Sequence, residues 1–273
     1  MRTILESLVA AAFVIGMVAP ASAQGTPPAQ EDPAGLAKKL SNPISDLVSV
    51  PFQFNWEQGV GPDDQTRFIL NVQPVIPFKV GEKTNLVMRV IVPFVSQPPL
   101  FPGGEPTGGV SDVLASFFVA PYTGSLIWGV GPVLSLPSTA EPALGTEKWS
   151  VGPTFVVLKQ SGAATYGMLW NQVWSVSGNA ERADVNQMFV QPFVAVTTAK
   201  ALTLTLQSES TCNFEADHDK WTVPVNFIVS KVASFGPFPA SYALGAGAFV
   251  EKPEGGPEWK LRAAVTLLLP NKK

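Results

Sequence analysis

Leu202-Thr-Leu-Thr-Leu-Gln-Ser-Glu-Ser-Thr-Cys-Asn213 alternates two chemistries almost without a break. On an extended strand successive side chains point to opposite faces. Leu202, Leu204 and Leu206 therefore share one face with Ser208, and Thr203, Thr205, Gln207 and Glu209 share the other. A water-soluble sheet turns its apolar face to a core; a membrane barrel turns it to lipid and keeps the polar face inside. The device recurs. Phe52, Phe54 and Trp56 alternate with Gln53, Asn55 and Glu57; Phe68, Leu70 and Val72 with Ile69, Asn71 and Gln73; Leu86, Met88, Val90 and Val92 with Val87, Arg89 and Ile91. Further strands are expected near 112–120, 125–136, 148–159, 165–176, 186–198, 202–213, 221–231, 240–250 and 258–269. The expected fold is all-β: a transmembrane up-and-down antiparallel β-barrel of about twelve strands over residues 49–270.

Composition points the same way. The 273 residues are 46% apolar and 14% charged, with a mean hydropathy of +0.21. Yet after residue 23 no uninterrupted apolar run approaches the roughly 20 residues of a membrane helix. Apolarity diluted by alternation suits a membrane barrel; a β-sandwich with an unusually greasy core is the alternative. Net charge is −3, and the pI of about 5.3 gives no footprint for a nucleic-acid partner. One cysteine, Cys212, excludes an intrachain disulfide, and one histidine, His218, excludes a histidine-cluster metal centre. Twenty-six prolines and 23 glycines favour turns over long helices.

The chain opens on an export pattern. Arg2 is the positive end, Leu8 to Val18 is apolar apart from Gly16, and Ala21-Ser22-Ala23 is a small-residue cleavage site. Residues 1–23 read as a cleaved signal peptide and 24–48 as a leader with a short helix. No cysteine follows the site, so lipid anchoring is not expected. Leu36 and Leu40 lie four apart around Lys38 and Lys39, and Pro43 limits the helix. A helix this short needs something to dock on. The expectation is a lumen plug whose Lys38 and Lys39 meet interior carboxylates such as Glu57 or Glu209.

Connections sort by parity. Odd ones, near 58–66, 95–111, 137–147, 177–185, 214–220 and 251–257, are the longer and carry acids such as Asp63, Glu141, Asp184 and Asp217. Even ones, near 79–83, 121–124, 160–164, 199–201 and 232–239, are bordered by Lys79, Lys83, Lys159, Lys200 and Lys231. Long outer loops and short periplasmic turns are the barrel pattern.

No nucleophile–base pair suggests an enzyme. His218 sits in the polar loop Glu215-Ala-Asp-His-Asp-Lys220, and Pro102-Gly-Gly-Glu-Pro-Thr-Gly-Gly109 lacks the lysine and strand–helix context of a phosphate loop. Neither a metal site nor a cofactor is expected. The polar faces carry Glu57, Arg89, Glu209, Lys260 and Arg262 among Gln53, Asn55, Asn71, Gln73, Gln187, Gln191, Gln207 and Asn226. In a barrel these line the lumen, either setting selectivity or filling it with a structural network.

Several stretches resemble a family of bacterial outer-membrane transporters related to proteins of phenol meta-cleavage gene clusters, many of which carry the label "neuromedin U". They are Leu36-Ala-Lys-Lys-Leu-Ser-Asn-Pro-Ile-Ser-Asp-Leu-Val-Ser-Val-Pro-Phe-Gln-Phe-Asn55, Asn71-Val-Gln-Pro-Val-Ile-Pro77, Trp128-Gly-Val-Gly-Pro132, Gly145-Thr-Glu-Lys-Trp149, Arg182-Ala-Asp-Val-Asn186 and Trp221-Thr-Val-Pro-Val-Asn226. The resemblance implies a single barrel and a transporter-like role; aromatic or apolar solutes are suggested by the gene context. The expected function is passive passage of small solutes through the outer membrane, with lipid and lipopolysaccharide as surroundings. The alternatives are a closed structural barrel and a soluble periplasmic β-sandwich that binds a ligand.

Overall fold

The computed structural model describes residues 32–121, 124–235 and 238–269. The expected signal peptide and most of the expected leader fall outside them, as do residues 270–273. The strands are β1 (Val48–Val60), β2 (Gln65–Val72), β3 (Val75–Lys79), β4 (Thr84–Gln97), β5 (Thr107–Val110), β6 (Val113–Pro121), β7 (Leu126–Leu136) and β8 (Lys148–Ser161). They continue as β9 (Ala164–Gly178), β10 (Asn186–Thr197), β11 (Leu202–Ser208), β12 (Ser210–Asn213), β13 (Trp221–Phe235), β14 (Phe238–Glu251) and β15 (Trp259–Leu269). In β2–β3, β5–β6 and β11–β12 the second segment continues the first, so the sheet has twelve antiparallel staves.

Each stave pairs with its neighbours in the chain, and β15 returns to β1 from Val48↔Leu269 to Gln58↔Trp259. The ring closes. A closed barrel leaves no unpaired sheet edge, so the two-sheet sandwich is ruled out. The turns 80–83, 162–163 and 198–201 gather at one end with the end of β6 and the start of β7, and connections 61–64, 98–106, 137–147, 179–185, 214–220 and 252–258 lie at the other. The loop expected over 95–111 is partly strand, because β4 runs on to Gln97 and pairs with β5. At the β1–β2 turn the register shifts between Glu57 and Val60. Gly59 sits in that bulge with φ +82°, where a side chain would be strained.

The wall has the inside-out polarity of a lipid-facing barrel. Leu204 and Leu206 are 40% and 49% exposed on the outer surface, while Thr203 is 4% exposed and faces inward. Leu244, Phe227, Val130 and Leu261 extend the outer apolar belt. Exposed Trp56, Trp149, Trp174, Trp221 and Trp259 lie near the long-loop end, and Phe78, Trp128, Tyr166 and Tyr242 near the short-turn end. Two aromatic girdles result, one at each expected lipid–water boundary. Lys79, Lys159 and Lys231 lie at or beside the short turns.

Helix α1 (Pro33–Leu40) begins at Asp32, whose side chain accepts from the Ala34 N–H, with Pro33 in the first turn and Lys38 and Lys39 in the last. Each of these favours a short helix: the cap, the preset φ, and cations at the negative end of the dipole. Leu36 and Ala37 pack on Ala201, Val232 and Leu268 at the short-turn end. Beyond the helix, Asn42 turns the chain by accepting from the Ile44 N–H. Ile44 then enters an apolar cluster of Val75, Val87, Phe118, Ala120, Val156, Leu158 and Leu169.

That cluster corrects the simple rule of a polar interior. Phe118 and Val87 are wholly buried and Leu158 nearly so, yet all lie on the inner face. On these staves the chain is apolar on both faces, as in Phe117-Phe118-Val119-Ala120 and Phe155-Val156-Val157-Leu158. Ile44 covers the inner side, so the lumen is packed there rather than wet.

Candidate functional site

The rest of the lumen is polar, and its centre is Glu209. This residue stands between β11 and β12, where the hydrogen-bond ladder lapses. The register on either side places Pro192 opposite Ser208 and Pro224 opposite Glu209. Neither proline has an N–H to give, so the chain is unpaired at the position that carries the central carboxylate.

One oxygen of Glu209 accepts from Arg262 Nη1 (3.0 Å) and Gln207 Nε2 (3.1 Å), the other from Arg262 Nη2 (2.6 Å) and Lys260 Nζ (3.2 Å). The bidentate arginine fork is the strong geometry for a carboxylate. Arg262 Nε also donates to Asn55 Oδ1 at 2.7 Å. Beside this group Arg67 donates to Glu57 at 2.8 Å through Nε, with Nη2 at 2.7 Å. Arg89 donates to Gln73 Oε1 at 2.9 Å, and Gln73 and Asn71 both donate to Gln53 Oε1. Gln191 donates to Gln207 at 3.1 Å. These contacts tie β1, β2, β4, β10, β11 and β15, with Glu209 between β11 and β12, together from inside. The four cations (Arg67, Arg89, Lys260 and Arg262) face two carboxylates (Glu57 and Glu209), leaving the layer positive.

Of the residues expected to line the lumen, Gln53, Asn55, Glu57, Asn71, Gln73, Arg89, Gln191, Gln207, Glu209, Lys260 and Arg262 stand in this one layer. Asn226 is also buried, in register with Gln207 and Gly247, but neither side-chain polar atom has a protein partner. Gln187 lies apart, in a vestibule of about 420 Å³ at the long-loop end with Arg182, Asp184 and Asn213. Arg67 is the member that sequence reading missed. It precedes the strand start read at Phe68, yet it is the register partner of Glu57; one more step of the alternation reaches it.

Between the charged layer and the N-terminal segment lies a cavity of about 280 Å³. Gln53, Gln73, Arg89, Gln191, Gln207 and Glu209 bound it on one side, and Ala37, Leu40, Ser41, Asn42, Pro43 and Ser45 on the other. Ser49, Thr203, Thr205, Ser230, Phe193, Ile228 and Val232 also belong to the wall. The N-terminal segment thus stands inside the barrel mouth. Its lysines do not reach Glu57 or Glu209, which are already engaged with Arg67 and with Lys260 and Arg262. Lys38 Nζ instead donates to the Gly162 carbonyl at 2.9 Å, while Gln160 donates to the Lys38 carbonyl at 3.0 Å. Lys39 pairs with Asp46 at 3.2 Å. Both lysines belong to the rim at the short turns, too far from the central layer to pair there.

The vestibule is clamped by charges of its own. Lys148, 7% exposed, donates to Asp184 at 3.1 Å, and Ser175 donates to the same carboxylate oxygen. The Lys148 hydrogen bond, then that of Ser175, holds the Asp184 carboxyl below the usual carboxylate range. Arg182 donates to the Gly145 and Pro142 carbonyls and lies 3.5 Å from Glu147.

No protein-family model matches the chain, and no curated protein does. Solved structures of similar fold include an outer membrane channel from Pseudomonas putida F1, with TM-score 0.60, 16% identity, and 82% of this chain and 94% of that one covered. Another is the NanC porin, with TM-score 0.52, 9% identity, and 81% and 100% covered. At such identities the likeness is one of fold.

Proposed function

We propose that this chain is an outer-membrane channel for small solutes, exported by a cleaved signal peptide and held shut by its own N-terminal segment. The observation that carries the reading is a charged, polar lumen with a cavity between it and residues 37–45, which bound that cavity at the short-turn end. A barrel needed only as a wall would gain little from six ionised side chains inside, since each must be paired or hydrated. The two proteins of similar fold are described as an outer membrane channel and a porin, which supports the reading, as does the family resemblance. That resemblance also suggests aromatic or apolar solutes.

The test is conductance in planar bilayers with the full chain and with residues 32–47 deleted. The deletion is expected to raise unit conductance severalfold; unchanged conductance would remove the plug from the proposal. A closed structural barrel is the second reading, favoured by the packed cluster around Phe118 and Leu158. Liposome swelling with graded sugars separates the two, because a sealed barrel swells with none of them even after the deletion.

A further inference from the structure

Arg89 differs from every other cation of the central layer. Lys260 and Arg262 share the Glu209 carboxylate, and Arg67 pairs with Glu57. Among the described residues no carboxylate lies within ion-pair distance of Arg89. The Glu209 carboxylate influences it only at longer range, and all the acceptor contacts described for that carboxylate go to Gln207, Lys260 and Arg262. The Arg89 guanidinium donates to one neutral amide oxygen, that of Gln73, and otherwise borders the cavity. A guanidinium has five N–H donors in a planar fork, so beyond the Gln73 contact most of its capacity is left for what occupies the cavity it lines. A cation out of bulk water without a counter-charge is costly, and an anion brought to it relieves that cost.

The rest of the wall indicates what kind of anion. Gln53 and Gln73 stand beside Arg89, while Phe193, Ile228 and Leu40 supply apolar surface, with Gln191 next to Phe193 on β10 and Thr205 paired with Ile228. One unpaired charge beside amides, with apolar surface in the same wall, matches a molecule having one anionic head and a compact apolar body. The volume, about 280 Å³, is near the lower bound of about 300 Å³ for small-ligand pockets. A planar two-oxygen head fits the fork of an arginine in the bidentate manner.

We infer that the cavity behind the plug is a binding site for small monocarboxylates, with the carboxylate on Arg89 and the apolar body against Phe193 and Ile228. The inference rests on the reading of the lumen as a solute path, to which it adds a solute class. It predicts a staging post, occupied before the N-terminal segment moves.

The probe is hexanoate, with hexanamide as its uncharged counterpart, titrated calorimetrically into the full mature chain in detergent. Hexanoate is expected to bind, hexanamide at least tenfold more weakly. Arg89→Gln should weaken hexanoate at least tenfold while Arg89→Lys retains part of the affinity. Heat-modifiable gel mobility shows that each variant is a closed barrel; if Arg89→Gln fails to close, the wild-type comparison of the two probes still decides. Equal binding of hexanoate and hexanamide, or no binding of hexanoate to the wild type, overturns the assignment. Bilayer conductance of the same samples keeps the two readings apart. Conductance without hexanoate binding leaves a channel with no carboxylate site. Charge-dependent binding without conductance, even in the 32–47 deletion, leaves a site in a barrel that passes nothing.

Discussion

Glu209 is the residue on which the interior charge balance turns. Glu209→Gln leaves Lys260, Arg262 and Arg89 confronting one another with a neutral amide among them. Removing one partner of a buried ion cluster typically costs about 3–5 kcal/mol. The expected result is a lower urea midpoint for barrels refolded into lipid vesicles, together with a shift of reversal potential toward anions in surviving channels. The loop carboxylate Asp184 offers a pH-dependent counterpart. Its folded-state pKa is depressed, so its stabilising link to Lys148 is fully present above the ordinary carboxylate value of about 3.9. The link is lost as pH falls through the lower, folded value. Protection factors of the 179–185 amides, taken relative to the intrinsic exchange rate at each pH, are expected to be high near neutral pH and to fall in strong acid, and Asp184→Asn to show the low values throughout. Gly131 is a steric case: a Cβ there would collide with the Phe117 carbonyl oxygen on the neighbouring stave. Gly131→Ala is expected to reduce the yield of heat-modifiable barrel sharply.

Among the elements, the N-terminal segment depends on few contacts. Outside the helix, its main apolar anchor is Ile44, 5% exposed among Val87, Phe118 and Leu158. Truncating a buried isoleucine to alanine costs about 2–5 kcal/mol, here charged mostly to docking of the segment rather than to the wall. Ile44→Ala is therefore expected to raise channel open probability while leaving heat-modifiable mobility unchanged. The staves were legible in the sequence because alternation is a local signal: all twelve are where the pattern puts them, to within a few residues. The inward set Gln53, Asn55, Glu57, Gln207 and Glu209 came with them. What the pattern could not convey was pairing across staves. Arg262 reaches Asn55 across 207 positions of chain, and nothing local in either residue specifies the other. For the same reason the lysines of α1 looked free to meet interior acids, whereas those acids had partners on distant strands. The apolar inner patch was visible only as runs lacking alternation, which a short-range reading cannot assign to one face or both.

At the scale of the whole molecule, polarity is the governing property. A lipid-confined photoreactive probe is expected to label Leu204, Leu206, Phe227 and Leu244 and to spare Thr203, Thr205 and Gln207; the reverse pattern would contradict the arrangement. The barrel also has a seam, where β15 meets β1 along eleven register pairs. Lys260 and Arg262 lie on β15; both grip Glu209 inside the ring, and Arg262 also grips its register partner Asn55 across the seam. The final stave thus arrives with two cationic hooks for a carboxylate and an amide that earlier staves have already positioned. Non-local contacts of this kind form late and slowly. The ionic lining accordingly doubles as the fastener of assembly: insertion cannot finish until the last segment has been captured, and an intermediate that lacks the capture would stay unzipped along one line facing the hydrocarbon.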